Sequence, residues 1–362
     1  MRQKVPGDGH AGGGVRRRTA PRSGGRGPRV GAMLALGWLP AARAAGLAAG
    51  LAAGLVAGLA AVPSPAGAAG AGAAGAAAAG VAAAGAVLPA PVRVTVSLPP
   101  QAYFVERIGG AGVRVQVMVP AGAEEETYAP NPRQVADLLH SQLYVAVGHP
   151  ALALEARYLL PLLRAHPEVR VESMARGVRF IRMQGDDAEA SAPGPERVEA
   201  TDPHIWLAPA PVTIAARNIA GALAAVDPGR RADYGRGLEG FERDLRALDA
   251  AFRRAAAGPR PVRFLSYHPA WGYLARQYGF QQLVVEAGGK DPGTASLLRL
   301  VAAARRLGVR LVLVPPGLPS RTTESLASSI GGRVLVLDYM ARDWLAMMSR
   351  LAAALAEVGR GA

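Results

Sequence analysis

Residues 231–257 read RADYGRGLEGFERDLRALDAAFRRAAA. Leu238, Phe241, Leu245, Leu248 and Phe252 recur at steps of three and four, which lays one apolar stripe along a helix with Glu, Arg and Asp on the opposite face. An uninterrupted helix of this length spans about 40 Å at 1.5 Å per residue. Set between two regions of different periodicity, it is a candidate spine joining two bodies.

Before the spine, Val92, Val94 and Val96 alternate with polar residues as a strand. Further strands are expected at 113–119, 143–147 and 169–173. Helices are expected at 103–108, 131–141, a segment containing Glu155, and 211–226. After the spine, strands at 263–267, 283–286, 309–314 and 333–337 alternate with helices at 271–278, 295–307, 322–330 and 341–358. Strand followed by helix at this spacing predicts parallel sheets with helices on their faces. The expected fold class is α/β, with two lobes, each a mainly parallel sheet flanked by helices, joined by one long rigid helix. Boundaries are expected at 92–210 for the first lobe, 211–260 for the linking helical region and 261–362 for the second lobe.

The head of the chain has a different composition. Residues 1–90 hold nine Arg or Lys against one Asp, +8 of the total formal charge of +14. The basic balance therefore belongs mostly to the head, and with no recognition motif elsewhere it excludes a nucleic-acid-binding reading. Residues 1–30 are rich in Gly, Arg and Pro, a composition expected to be disordered. An apolar run follows and ends near Ala66-Gly67-Ala68, so 1–68 reads as an export signal with a basic head, Met33 being a candidate start. An uncleaved membrane anchor is the alternative. Residues 69–91 read as an Ala/Gly-rich linker. The chain has no cysteine, which removes disulfides, thiolate ligands and a lipid-modified cysteine together.

Two histidines stand out on either side of the spine, in Asp202-Pro203-His204-Ile205-Trp206-Leu207 and in His268-Pro269-Ala270-Trp271-Gly272-Tyr273. Together with Asp338, Glu126, Glu155, His149 and Glu286 they fall at or near strand-to-helix turns, where open α/β sheets place ligands. Imidazole and carboxylate donors without sulfur suit Zn²⁺ or Mn²⁺. Taken singly, most have an ordinary structural role: His204 as a helix cap, His268 as a core residue, Asp338 as an N-cap, Glu126 and Glu155 as solvated charges. No G-x-S-x-G elbow, H-E-x-x-H pair, phosphate loop or dinucleotide fingerprint is present.

These two histidine segments, with Tyr278-Gly279, Gly289-Lys290-Asp291-Pro292 and Leu337-Asp338, resemble the zinc/manganese-type substrate-binding proteins of bacterial ABC importers over about 91–358. The resemblance implies two lobes on a rigid helix and a divalent metal, Zn²⁺ or Mn²⁺, bound between them as the transported ligand. It also implies delivery to a membrane permease with its ATPase, a periplasmic location, a monomer, no organic cofactor and no enzymatic activity. Matched position by position, His204, His268 and Asp338 are metal ligands, and Glu126 stands where the family has a histidine before a Tyr-x-Pro turn. Either a site of two histidines and two carboxylates results, or another residue substitutes, with Glu155, His149 and Glu286 as second choices. The histidine-rich loop of many zinc members has no counterpart in 182–200. A metal-dependent hydrolase, or an exported adhesin whose metal site has decayed, are the alternatives. An ordinary histidine pKa predicts binding that weakens as pH falls through about 6.5.

Overall fold

The computed structural model describes residues 90–183, 201–286, 293–318 and 320–361. The expectations for the head, the linker, the 182–200 loop and the Gly289-Lys290-Asp291-Pro292 motif fall almost wholly outside those residues. Among the described residues, no helix is long and apolar enough to cross a membrane.

The first region runs β1 (Val92–Val96), α1 (Pro99–Gly109), β2 (Val113–Val117), α2 (Pro132–Leu139), β3 (Leu143–Ala146), a π-helical turn (Leu154–Leu159) passing into α3 (Leu160–Arg164), and β4 (Arg170–Ser173). Its four strands are parallel in the order β2-β1-β3-β4, with Val96 opposite both Val117 and Val145. Two long helices follow, α4 (Pro209–Val226) and α5 (Arg231–Ala256). The second region runs β5 (Arg263–Ser266), α6 (Gly272–Tyr278), β6 (Gln281–Val284), α7 (Thr294–Arg306), β7 (Leu311–Val314), α8 (Ser320–Ser329), β8 (Arg333–Val336) and α9 (Trp344–Arg360). Its sheet repeats the same parallel order, β6-β5-β7-β8. In each sheet the order reverses at the first strand, so neighbouring loops at the carboxyl ends leave in opposite directions and open a crevice there.

Local chemistry sets the element ends. Pro99 and Pro100 occupy the first turn of α1, where their missing N–H groups cost nothing. Asn131 caps α2: its Oδ1 accepts from Gln134 N at 3.0 Å while Gln134 Oε1 accepts from Asn131 N at 3.0 Å. Asp343 caps α9 by accepting from Ala346 N, which starts that helix three residues later than its apolar pattern suggests. Gly279 ends α6 with φ +73°, a conformation that favours glycine. The chain then pairs at once, Gln281 opposite Arg263, so β6 lies two residues earlier than expected. Glu286 is thereby left beyond the strand.

The spine stripe is where the sequence puts it: Phe241, Leu245, Leu248 and Phe252 are buried and Leu238 is half-buried. With it α5 packs against α1 and α4 of the first region and against α9 of the second. Phe104 of α1, Phe241 of α5 and Trp344 of α9 form one aromatic cluster, Phe104 meeting Trp344 edge-on at 5.1 Å and Phe241 in a stack at 5.5 Å. Trp344 Nε1 donates to Trp206 O at 2.7 Å, and Trp206 Nε1 donates to Tyr339 O at 3.0 Å. These reciprocal bonds tie the segment after β4 to the segment after β8. Close approach of α5 to α1 depends on Gly237, where a Cβ would stand 2.0 Å from Ile108 O. Gly237→Ala is therefore expected to destabilise by about 1–3 kcal/mol despite its better helix propensity. A lowered thermal unfolding midpoint checks this; an unchanged or raised midpoint contradicts the close contact.

Candidate metal centre

His204 follows β4 in a turn built by Asp202. Asp202 Oδ1 accepts from His204 N at 2.9 Å and lies 2.8 Å from His204 Nδ1, and both residues are fully buried. Asp202 N donates to Ile181 O at 2.8 Å, and Tyr273 Oη donates to Asp202 O at 3.1 Å, so the turn is held from both regions. A carboxylate on Nδ1 holds a proton there and turns Nε2 outward, as the atom that can ligate once it has lost its own proton.

His268 follows β5 and is oriented in the same way. Its Nδ1 lies 2.9 Å from Glu286 Oε2, and Glu286 N donates to Tyr267 O at 3.1 Å, which extends the β5–β6 ladder past the strand end. The two Nε2 atoms lie 3.2 Å apart. Two imidazole nitrogens on one tetrahedral Zn²⁺ would stand about 3.3 Å apart, given Zn–N lengths of about 2.0–2.1 Å.

Glu125 supplies the third donor. Its Oε1 is 3.6 Å from His204 Nε2, buried, and without a hydrogen-bond partner. Donor atoms of Glu125, His204 and His268 all lie within 4.8 Å of one another, and this is the one such group found among the described residues. This buried carboxylate oxygen faces the imidazole nitrogens, and its charge is balanced there by a proton on His204 or by a bound cation. Two nitrogens and an oxygen fit the borderline ion Zn²⁺ and leave one position open.

Tyr339, after β8, completes the wall. Its ring stacks on that of His268 at 5.3 Å and 14°, meets His204 edge-on at 6.0 Å, and its hydroxyl donates to Glu125 Oε2 at 3.4 Å. Burial, and then the Glu125 charge, push the Tyr339 hydroxyl up, so it remains protonated. Burial is the largest influence on His204 and lowers its pKa, but the Asp202 and Glu125 carboxylates outweigh it and raise the group to about 9. Burial likewise raises Glu125, yet the His204 and His268 imidazoles leave its carboxyl below the usual range.

The other residues singled out in the sequence lie outside that group, Glu126 at its edge. Glu126 is 47 % exposed with Oε1 3.9 Å from His268 Nε2, while its neighbour Glu125 takes the buried place. In this turn Ala123 N donates to Pro120 O and Tyr128 N to Glu124 O, with Glu125 buried and Glu124 and Glu126 more exposed, Glu126 still beside His268. Asp338 is not part of the donor group; its Oδ1 accepts from Met340 N at 2.9 Å, closing a local turn. Glu286 orients His268 through Nδ1 and contributes no atom to the group.

Glu155 points inward from the π-helical turn, accepting from Val147 N at 2.6 Å, Gly148 N at 2.8 Å and the Ser97 hydroxyl; burial raises it to about 7. It secures the end of β3. His149 is buried, its Nδ1 accepting from Ala151 N at 3.2 Å and its Nε2 lying 3.0 Å from Thr201 Oγ1; burial lowers it to about 4, and it packs on Phe180. The sequence reading gave no role to Glu125, Tyr339 or Asp202. Only Asp202 carries a signal, its fixed spacing to His204 across a proline.

The family model for the zinc-uptake complex component A, periplasmic, named ZnuA, matches residues 94–358. The high-affinity zinc uptake system protein ZnuA of Bacillus subtilis is 24% identical over 262 residues, 69% of this chain and 78% of that protein. A crystal structure of ZnuA aligns with TM-score 0.64 and 31% identity, covering 74% of this chain and 98% of that one. A ZnuA deletion mutant with zinc bound aligns equally, at TM-score 0.64, 32% identity and the same coverage of both chains. The architecture, two parallel four-stranded sheets on a long helix with donors at their carboxyl ends, agrees with these matches. The chain belongs to the ZnuA family.

Proposed function

We infer that this chain is the exported solute-binding component of a bacterial divalent-metal importer. It captures Zn²⁺, with Mn²⁺ second, and passes it to a membrane permease driven by an ATPase. One observation carries the reading: the facing Nε2 atoms of His204 and His268, 3.2 Å apart, each set by a carboxylate on Nδ1 and both beside the orphaned Glu125 oxygen. His204 and Glu125 come from loops after the first sheet, and His268 from the second. A cation held by all three stabilises their joint arrangement by its differential affinity for it. Three oriented donors also argue against a decayed site. The ion is cargo, and the protein works as a monomer in the periplasm.

Chelation of the purified protein, reloading and elemental analysis test the reading, with titration calorimetry for Zn²⁺ and Mn²⁺. One Zn²⁺ per chain is expected; a stripped protein that takes up neither ion ends the proposal. The donor assignment has its own check. Glu125→Gln is expected to weaken Zn²⁺ binding by about 100-fold or more, since it removes a buried anionic ligand. Glu126→Gln, at an exposed position, is expected to cost less than about threefold. The reverse order in calorimetry would return the donor role to Glu126.

A further inference from the structure

We propose that Tyr339 is a specificity-determining residue that holds the captured ion to four ligands and so selects Zn²⁺ over Mn²⁺. The proposal rests on the metal-capture reading and adds to it the cause of the preference. Two features of the geometry converge. First, the Tyr339 ring lies flat on His268 and edge-on to His204, so it covers the side of the donor group that faces β8. Asp338, the strand-end carboxylate next to Tyr339, uses Oδ1 to accept from Met340 N. On this side an aromatic ring, rather than the Asp338 carboxylate, borders the two imidazoles.

Second, the Tyr339 hydroxyl is directed at Glu125 Oε2, while Oε1 is the oxygen left unpartnered toward the imidazoles. The Tyr339 contact at 3.4 Å thus favours Oε1 as the single donor atom of Glu125. Mn²⁺ favours six ligands rich in oxygen, and a bidentate carboxylate with an added aspartate or waters would supply them. Zn²⁺ is content with two nitrogens, one oxygen and one further position. The ring is itself anchored, because Tyr339 O accepts from Trp206 Nε1 at 3.0 Å and the Trp206 ring lies 5.1 Å from that of His204. One indole accordingly registers Tyr339 against His204.

The test compares wild type with Tyr339→Phe, Tyr339→Ala and Tyr339→Asp, using calorimetry with Zn²⁺ and Mn²⁺ and visible absorption of the Co²⁺-loaded proteins. Four-coordinate Co²⁺ absorbs far more intensely than six-coordinate Co²⁺, because it lacks an inversion centre. Wild type is expected to give the intense spectrum. Removing the cover in Tyr339→Ala, or replacing it by a carboxylate in Tyr339→Asp, is expected to lower the Zn²⁺-to-Mn²⁺ affinity ratio by about tenfold or more and to weaken the Co²⁺ bands. Tyr339→Phe keeps the ring and frees Glu125 Oε2, so a smaller drop in the ratio is expected. A weak, six-coordinate Co²⁺ spectrum in wild type overturns the proposal, and that measurement stands even if no variant folds. So does a ratio within about twofold of wild type in folded Ala and Asp variants that still bind metal. A wild type that binds neither ion overturns the capture reading instead, and this proposal with it.

Discussion

His204→Ala is expected to abolish high-affinity metal binding, and His268→Ala to do nearly the same. Each removes one of three protein donors, and the remaining two cannot close a tetrahedral site. Loss of an outer partner costs about 10–100-fold in metal affinity, so loss of a ligand is expected to exceed that range. Asp202→Asn provides the internal comparison: it keeps an oxygen that can accept from His204 but drops the charge, and should fall within the 10–100-fold range. Because His204 is fully buried between Asp202 and Glu125, its removal also leaves two carboxylates without their shared partner. His204→Gln and a circular dichroism spectrum therefore accompany the alanine variant, to separate lost ligation from lost fold. Calorimetric affinities within about threefold of wild type in folded variants of both histidines would leave the family fold standing and remove the capture function.

Acidification is expected to have an effect of similar size. With its pKa raised to about 9, His204 carries a proton in the metal-free protein at neutral pH, and Zn²⁺ must displace it. The onset of competition therefore moves up from the value near 6.5 expected of an ordinary histidine. Apparent affinity should fall about tenfold per pH unit below 9, close to a thousandfold between pH 9 and pH 6. Calorimetry in buffers of different ionisation enthalpy should register proton release on binding; a flat profile above pH 7 would contradict it.

Stability moves the opposite way in the metal-free protein. A histidine whose folded pKa lies above its unfolded one contributes stability that is fully present below about 6.5 and is lost as pH rises through about 9. At 1.36 kcal/mol per unit this is on the order of 3 kcal/mol. Glu155, also raised, adds in the same sense between about 4.5 and about 7. The metal-free midpoint should thus decline from pH 6.5 to 9 while the shift produced by Zn²⁺ grows, as thermal melts with and without Zn²⁺ would show.

Much of the fold follows from local rules. The stripe Phe241, Leu245, Leu248 and Phe252 makes a helix with one buried face in any context, because period and polarity agree along the whole segment. Val92–Val96, valines alternating with polar residues, and the apolar run Leu311–Val314 are short segments bounded by breakers, and their alternation with helices leaves parallel pairing as the consistent arrangement. His204 and His268 were readable for a similar reason, since proline and tryptophan beside a lone histidine at a strand end mark a stiff, dry turn. Where a strand begins is less local: β6 starts at Gln281 because pairing with Arg263, once Gly279 has turned the chain, fixes its register.

Tertiary structure alone decided which carboxylate is buried against His204. In Glu124-Glu125-Glu126 the side chains are chemically identical, and in the turn closed by Ala123 N and Tyr128 N the middle one is the buried one. The same holds at the end of β8, where Asp338 Oδ1 accepts from Met340 N and the Tyr339 hydroxyl reaches Glu125. It holds again for Glu286 and Asp202, whose part as partners of Nδ1 rests on distances of 2.9 Å and 2.8 Å. Composition and periodicity report the free energy of burying a face, which is summed over many residues and so survives in the sequence. A ligand set depends on the direction of single side chains, and that direction is set by hydrogen bonds that form only once the chain has folded.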